Sequence, residues 1–385
     1  MLKENRAGTW VVNLSGDLQY FSYRPNPLPP VPALALDADL MALVVRANRA
    51  LAELNAVAEY VPDFDLFVSM YVRKEALISS QIEGTQCTFD DILDPEVANN
   101  VNADVADVVN YVSAEKRAME LSRELPLSGR LLRCAHEVLL QGVRGEEKTP
   151  GEFRRSQNWI GPAGCTLRDA RFVPPNIDDM CNAMSDLEAY MNEPGDFDPV
   201  VRAALIHYQF ETIHPFLDGN GRVGRLLILL YLMQEGLLAK PVLYVSYFLK
   251  KNQVEYYDRM SEVRRTGNYE QWVRFFLEAV VEAAADALDS GRRLVEMHER
   301  NVARVEAIAS RSDTNRRLFA HLESHPIVTV GGVSEALGVS FVTASAAVKR
   351  LEGEGILAQT TNAVRNRVFA YEEYLAELRR GTELR

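Results

Sequence analysis

The chain has 385 residues, is 47% hydrophobic and 25% charged, and carries a formal net charge of −12 at pH 7. This length allows two or three domains, and the acidic balance argues against a protein that coats nucleic acid or anionic membrane with its whole surface. Because the longest apolar run, Leu226 to Met233, cannot span a membrane and no signal-peptide core follows Met1, we expect a cytoplasmic protein with no membrane contact.

The first hundred residues combine an arm with helices. Residues 1 to about 35 are rich in proline and aromatic residues, which predicts an extended arm lying on the body rather than a helix. Gly84 is well placed to end the second of the helices that come after this arm. We assign residues 1–100 to an N-terminal unit. Helical spacing is found in four segments, Asp37 to Tyr60, Pro62-Asp63 to Glu83, Asp104 to Leu125 and Ser128 to Gly142.

The middle of the chain predicts a helical core with one β-hairpin, which we assign to residues 101–265. Two short apolar pieces, residues 158–161 and 170–175, flank a glycine-containing loop and favour the hairpin. Residues 266–312 are expected to be connecting helices. Helical segments run from Ile177 to Tyr190, Pro199 to Ile213, about Gln253 to Arg264 and Tyr269 to Ala309.

The last segment, residues 313–385, predicts a small winged helix-turn-helix domain. Its pattern is a helix at Asn315 to Leu322, a short helix and glycine turn at residues 333–340, and a third helix at Phe341 to Glu352. Short strands are expected at Ile356-Leu357 and residues 367–370. Nine basic residues balance nine acidic ones, so the domain is as suited to docking a protein as to binding DNA.

The most informative stretch is His214-Pro215-Phe216-Leu217-Asp218-Gly219-Asn220-Gly221-Arg222-Val223-Gly224-Arg225. Glycines ahead of a helix let backbone N–H groups converge on an anion, and arginines are suited to phosphate oxygens. Asp218 is an oxygen ligand of the kind that Mg²⁺ prefers, and His214 can accept a proton near neutral pH. The stretch therefore predicts a site for nucleotide phosphates, a metal and a general base.

This string resembles the Fic family signature HPFx(D/E)GNGRxxR and matches it at every specified position. The resemblance, which extends over roughly residues 60–265, implies a mainly α fold with a Fic helical core and an overhanging hairpin, the flap. It implies a protein adenylyltransferase that moves AMP from ATP to a Ser, Thr or Tyr hydroxyl and releases pyrophosphate. The expected partners are ATP and a protein target, with self-modification and a homodimer as further expectations.

Site roles follow from the resemblance, position by position. His214 is expected to be the catalytic base, and Asp218 to hold Mg²⁺. Because Gly221 stands where phosphate-transferring relatives carry a lysine, AMP transfer is favoured. Transfer of another nucleotide-borne phosphate group and a nucleotide-sensing transcriptional regulator with a Fic core remain alternatives. The expected nucleotide contacts are Phe216, Asp218, Gly219, Asn220, Gly221, Arg222 and Arg225, with a loosely aligned Asn252 beside adenine.

A second motif suggests inhibition. Ser79-Ser80-Gln81-Ile82-Glu83-Gly84 matches the family pattern (S/T)xxxE(G/N), and Ser79 and Glu83 share one helix face. The resemblance implies that Glu83 pairs with Arg225 and displaces the γ-phosphate. A solvated glutamate at a helix end is the plainer alternative. The hairpin is expected to dock the target, through Trp159, Ile160, Gly161, Phe172 and Val173.

Overall fold

The computed structural model describes residues 5–15, 18–60, 64–93, 102–162, 164–308, 313–360 and 367–383. These ranges are mainly α-helical, as the sequence predicts. The N-terminal and central helices are α1 (Ala38–Tyr60), α2 (Phe64–Ile82), α3 (Phe89–Leu93), α4 (Ala103–Leu121), α5 (Gly129–Leu139), α6 (Ile177–Asn192), α7 (Pro199–Ile213) and α8 (Asn220–Gln234). They are followed by α9 (Ser246–Lys251), α10 (Gln253–Thr266), α11 (Tyr269–Ile308), α12 (Thr314–Ser324), α13 (Val330–Leu337), α14 (Phe341–Gly353) and α15 (Glu372–Arg379).

The arm contains an antiparallel hairpin, which the sequence analysis did not predict. Strand β1 (Gly8–Asn13) pairs with β2 (Tyr20–Pro25), with Trp10 opposite Tyr23. Paired residues lie on the same face of a hairpin, so these two rings turn together toward the body. Tyr23 is fully buried, and both rings pack against Phe172 of the flap. The arm is therefore part of the wall beside the flap.

Helix α7 lies at the centre of the molecule, and its side chains from Val200 through Ile213 are all buried. It begins where Asp198 accepts a hydrogen bond from the Val200 N–H at 2.9 Å, with Pro199 in the first turn. It ends at His214, whose φ of 51° and ψ of 60° are left-handed and turn the chain sharply. Helix α8 is nearly as buried, so the loop between the two helices is held from both sides.

Helix α11 is one continuous 40-residue helix, which ends one residue before the predicted end at Ala309. Its first half belongs to the core. The Trp272 indole is fully buried and donates to the Ala204 carbonyl of α7 at 2.8 Å. One hydrophobic cluster includes buried residues from Ala7 to Leu378, and the domain boundaries at residues 265 and 312 stay predictions.

The C-terminal segment contains α12, α13 and α14 with three short strands, β3 (Ile327–Thr329), β4 (Ala358–Gln359) and β5 (Val368–Ala370), in the order β3-β5-β4. The strand predicted at Ile356-Leu357 is wrong by two residues. These residues are buried, and both N–H groups bond back to the Leu351 carbonyl at the end of α14. Strand β3 and helix α15 were not predicted, and the winged-helix assignment stays a prediction.

Most other helices lie where the sequence predicts them, to within a few residues. The predicted start of the second helix at Pro62-Asp63 lies outside the described residues. In the described ranges, no single helix is long and apolar enough to cross a membrane. Helices α13 and α14, bent by 115°, pass that test together by length and composition only.

Candidate functional site

His214 stands at the end of α7 with its ring facing a cavity. Its Nδ1 lies 3.4 Å from the Glu211 carbonyl oxygen, which can only accept a hydrogen bond. The proton therefore belongs on Nδ1, and Nε2 keeps a free lone pair. Burial lowers the pKa of His214 to about 4, with the nearby Arg154 cation adding to the shift. At neutral pH the ring is an unprotonated base.

Asn220 holds the motif loop, residues 214–219 between α7 and α8, through two hydrogen bonds. Its amide accepts from the Phe216 N–H at 2.8 Å and donates to the Phe216 carbonyl at 2.9 Å. The Phe216 ring is fully buried and stacks on His136 at 3.8 Å between ring centroids. Both side chains are turned into the protein and hold the loop, so the nucleotide contacts expected of Phe216 and Asn220 stay predictions.

Asp218 and Arg222 form a charged group beneath the loop. Asp218 Oδ1 accepts from the Gly219 N–H at 2.6 Å and lies 3.7 Å from Arg222 Nη2. The Asp218 side chain is 36% exposed, whereas that of Arg222 is only 2% exposed and lies 3.8 Å from Asp107. Asp218 can thus reach a ligand, but Arg222 is buried between two carboxylates and does not line the cavity.

The first turn of α8 presents backbone N–H groups toward the cavity. Gly219 precedes the helix with a φ of 74°, a conformation that glycine adopts without strain. The Glu83 carboxylate lies close over Gly221, since a Cβ there would lie 2.1 Å from Glu83 Oε1 and would push that side chain aside. The Glu83 carboxylate thus occupies the space over the helix N-terminus where an anion would bind.

Glu83 is paired with Arg225. The Arg225 guanidinium donates to Glu83 Oε1 at 2.8 Å, to Ser79 Oγ at 2.8 Å and to the Ser79 carbonyl at 2.8 Å. Burial alone would raise the pKa of Glu83, but the charge and hydrogen bond of Arg225, together with the Arg222 cation, hold that pKa below its ordinary value. Gly84 follows with a φ of 95° just past the end of α2. Ser79 and Glu83 of the second motif therefore both bind the Arg225 side chain.

A cavity of about 510 Å³ joins these groups. Glu83, Glu211, His214 and Arg225 line its polar part. Helix α10 supplies the aromatic and apolar side chains of the wall, beside Ser261 and Arg264. The lining residues are Glu83, Trp159, Ile160, Gly161, Pro162, Arg171, Phe172, Glu211, His214, Gly221, Arg225, Tyr256, Tyr257, Met260, Ser261 and Arg264. A polar end for phosphates and an aromatic end for a base ring fit a nucleotide.

The flap is less regular than predicted. A single bridge joins Ile160 and Phe172, with N–H to carbonyl distances of 2.8 and 3.0 Å. Longer pairing fails because Pro162 and Pro174 have no N–H to donate. Phe172 is buried beneath the Arg264 guanidinium, 3.9 Å from the ring centre.

Only one edge of the flap is open to a target strand. The carbonyl of Val173 accepts from the Tyr23 N–H at 2.9 Å, so β2 already covers that edge. The Trp159, Ile160 and Gly161 side remains, with Trp159 42% exposed and Gly161 exposed. Of the five residues expected to dock a target, Phe172 and Val173 are therefore packing residues.

Asn252 does not join the site. It lies between α9 and α10, and its amide donates to the Phe248 carbonyl at 3.0 Å. It lines a separate open depression of about 740 Å³ that contains none of the motif residues. The expected adenine contact of Asn252 is therefore not supported.

Two buried residues that support the loop were missed. His136 Nδ1 accepts from the Gly151 N–H at 2.9 Å, so its protonated Nε2 donates to the Asp218 carbonyl at 3.0 Å. Arg154 donates to the His214 carbonyl at 3.0 Å. The sequence separates these partners by 82 and 60 residues, and no periodic pattern connects such distant positions.

Two protein-family models match this chain. Residues 41–120 match the model of the Fic/DOC family N-terminal region, and residues 126–232 match that of the Fic/DOC family. The chain is similar to the protein adenylyltransferase Fic of Aedes aegypti, 37% identical over 33% of this chain and 23% of that protein. The corresponding protein of Drosophila yakuba is 31% identical over 41% of this chain and 33% of its own length.

A solved structure of a Fic family protein from Desulfovibrio desulfuricans G20 superposes with a TM-score of 0.56 at 19% identity. The match covers 88% of this chain and 97% of that one. The chain thus has a Fic fold, and the match to the Fic/DOC family model falls on residues 126–232, which include the motif. It spans only a quarter to a third of the length of these two curated relatives.

Proposed function

We propose that this chain, built around a Fic domain, transfers AMP from ATP to a hydroxyl side chain of a protein. The observation that carries the proposal is the position of His214. Its unprotonated Nε2 faces a cavity that also contains the N-terminus of α8 and the Arg225 cation. A weak hydroxyl nucleophile needs such a base, and the phosphates need the positive charge. The matched relatives are named protein adenylyltransferases, which supports the same reaction class.

Each residue then has a task. His214 takes the proton from the target hydroxyl as its oxygen attacks the α-phosphorus of ATP, and pyrophosphate leaves. The first N–H groups of α8 hold phosphate oxygens, and Arg225 neutralises the outer phosphates once it is free of Glu83. Tyr256, Tyr257 and Met260 offer the aromatic and apolar wall for the nucleoside.

Asp218 is the residue that fits Mg²⁺. One carboxylate oxygen is used by the Gly219 N–H, while the side chain stays partly exposed, so the other oxygen is available to a cation. Among the described residues no group of three or more His, Cys, Asp or Glu could enclose a metal. A single carboxylate suits Mg²⁺, which keeps its waters and shares the substrate phosphates. Bound there, it would neutralise phosphate charge.

The Glu83–Arg225 pair supports an inhibited ground state. Glu83 lies over Gly221, at the N-terminus of α8, and binds the arginine that the γ-phosphate would need. ATP therefore has to bind with its outer phosphates displaced, or compete with a carboxylate for Arg225. Position 221 is a glycine and not the lysine of phosphate-transferring relatives, which favours AMP transfer.

The test is intact-mass measurement of the purified full chain incubated with ATP and Mg²⁺, alone and with candidate protein acceptors. The proposal expects a protein mass increased by one AMP, with pyrophosphate released in equal amount, and no increase for His214→Ala. Binding of ATP without any transfer, in the wild type and in Glu83→Gly, would instead favour a nucleotide sensor.

A further inference from the structure

Arg154 is a buried cation that pairs with no acidic side chain among the described residues. Its side chain is about 1% exposed, and its guanidinium donates to three carbonyl oxygens: His214 at 3.0 Å, Pro175 at 2.5 Å and Ser156 at 3.4 Å. Its own backbone N–H donates to the Pro215 carbonyl at 2.8 Å. A charge buried on carbonyls alone is costly, so its retention needs a reason.

The three acceptors identify what Arg154 connects. Ser156 and Pro175 stand at the two ends of the flap, and His214 is the proposed base. The His214 residue has left-handed backbone angles, and its carbonyl is fixed by Arg154 and by the Asn158 amide at 3.3 Å. The guanidinium therefore joins the flap to the backbone that aims the imidazole.

We infer that Arg154 is a positioning residue, which fixes the His214 main chain relative to both ends of the flap. The inference rests on the proposed function, because it concerns how the base meets a target held at the flap. Arginine suits the task since its planar fork reaches several acceptors at once, whereas a lysine offers one flexible ammonium.

The charge of Arg154 has a second effect. The charged groups around His214 are Arg154 itself, Glu83 after α2, Glu211 on α7, Arg225 on α8 and Arg264 on α10. Glu83 raises the pKa of His214, whereas Arg154 and Arg264 lower it. Removing the Arg154 cation should thus raise that pKa, and replacing it with another cation should not.

Two substitutions separate position from charge, each made in the full chain with and without Glu83→Gly. Arg154→Lys keeps the cation but loses the fork, so kcat should fall about tenfold or more at an unchanged KM for ATP, with the His214 pKa unchanged. Arg154→Gln should lower kcat similarly and shift the His214 pKa upward, together with the acid limb of the rate profile. Histidine-selective NMR titration measures the pKa, with the His214 signal assigned by its loss in His214→Ala.

If the Arg154 variants fail to fold, Asn158→Ala provides a second test. It removes the other hydrogen bond to the His214 carbonyl and should lower kcat while the pKa of His214 is unchanged. The inference is overturned if folded Arg154 variants in the Glu83→Gly background transfer AMP as fast as Glu83→Gly alone. It is also overturned if Arg154→Lys and Arg154→Gln shift the pKa of His214 equally. No AMP transfer by Glu83→Gly itself would refute the proposed function, while the NMR arm would still test Arg154.

A second inference comes from the opposite face of the inhibitory helix. Gln81 lies between Ser79 and Glu83 but points away from Arg225. Its side chain bonds to the Lys250 ammonium at 2.6 Å and to the Thr382 carbonyl at 3.3 Å. Lys250 also donates to the Glu383 carbonyl at 3.0 Å. The C-terminal end of α2 thus contacts Arg225 on one face and the C-terminal tail, residues 380–383, on the other.

Helix α15 adds a bidentate ion pair. Arg379 donates to both oxygens of Asp90, at 2.6 and 2.8 Å, and Asp90 belongs to α3, which directly follows the inhibitory segment. The tail contacts and this pair together form the C-terminal clamp, made by residues 379–383 on Gln81, Asp90 and Lys250. We propose that the clamp keeps Glu83 in its inhibitory position, and that releasing it activates the enzyme.

This proposal also rests on the proposed function and is tested with Arg379→Ala and with a chain ending at Arg379. Both should increase amide hydrogen exchange in residues 77–83 and raise AMP transfer severalfold, with no further gain when Glu83→Gly is added. Arg316→Ala, which breaks the ion pair between Arg316 of α12 and Glu306 of α11, is the matched control and should change neither quantity.

The clamp proposal would be overturned if Arg379→Ala and the chain ending at Arg379 fold and show the wild-type rates of both amide hydrogen exchange in residues 77–83 and AMP transfer. Activation by Glu83→Gly together with silent clamp variants refutes the clamp alone. The absence of transfer from every variant refutes the proposed function, while the hydrogen-exchange result still reports on the contact itself.

Discussion

The imidazole of His214 is the residue on which the proposed chemistry depends. Replacing His214 with Ala should lower AMP transfer by about 10²–10⁴-fold while ATP binding is kept, because the ring acts on the attacking hydroxyl and not on the phosphates. Radiolabel transfer and isothermal titration with ATP measure the two quantities. Near wild-type transfer by the alanine variant would mean that another group is the base.

Arg222 illustrates how burial changes a residue-level expectation. Its guanidinium lies between Asp107 and Asp218, and Asp107 is equally buried. Arg222→Ala would leave the Asp107 carboxylate without its counter-charge, so the free energy of unfolding should fall by about 3 kcal/mol or more. Denaturant unfolding measures this loss.

Adding Asp107→Asn should recover part of the stability, because the stranded charge is then removed. If Arg222→Ala were as stable as the wild type but bound ATP much more weakly than AMP, Arg222 would be a phosphate ligand, as its place in the motif suggests.

At the scale of elements, the motif loop is held by α5 as well as by its own helices. His136→Phe should keep the ring stacked on Phe216 but leave the Gly151 N–H and the Asp218 carbonyl without partners. Each unpaired group costs about 1–3 kcal/mol, so the midpoint of unfolding should fall. The Mg²⁺ concentration for half-maximal transfer should rise, since Asp218 is less well fixed. An unchanged midpoint and Mg²⁺ dependence would show that the loop holds itself.

The elements also show what a sequence can predict. Helix α7 was predicted from Pro199 to Ile213 without error, because a proline start and a long apolar pattern are local signals. The hairpin β1–β2 was missed because its stability comes from Trp10 and Tyr23 meeting Phe172, about 150 residues away. The flap was predicted as a hairpin, but its prolines limit it to one bridge.

The candidate site divides in the same way. The motif itself indicates His214, Asp218 and Arg225, since chemistry selects those residue types at those spacings. The supporting residues His136 and Arg154 are selected by distant packing. Asn252, whose alignment rested on no local signal, lines a separate depression. Burial separates ligand-facing residues from loop-holding ones, and the sequence does not show burial directly.

At the scale of the whole molecule, buried carboxyls should set the pH dependence of stability. Burial raises the pKa of Glu75 to about 8, and burial beside Glu75 raises that of Glu115 as well. Burial likewise raises the pKa of Glu211 to about 7. The folded chain thus keeps protons that the unfolded chain releases above about pH 4.5. The contribution of these carboxyls to the free energy of unfolding is therefore complete below that pH and is lost as the pH rises toward 8.

The buried histidines act in the acid range, since burial lowers the pKa of His207 to about 3 and of His136 to about 4. Their contribution is lost as pH falls below about 6.5. Between pH 6.5 and 8 the carboxyls should dominate, and the melting temperature should fall. Each group contributes at most about 1.4 kcal/mol per pH unit. Calorimetry of the wild type and Glu115→Gln should give a shallower fall for the variant, and equal slopes would contradict this assignment.

The central claim is that the Glu83–Arg225 pair restrains an AMP transferase. It is tested most directly by labelled-ATP transfer with the wild type, Glu83→Gly, Arg225→Ala and the double variant. Glu83→Gly should raise transfer, including self-modification, because Arg225 is released to the γ-phosphate; each tenfold gain corresponds to about 1.4 kcal/mol. The double variant should lose that gain, because the freed partner is missing. A folded Glu83→Gly protein that transfers no more AMP than the wild type would contradict the claim.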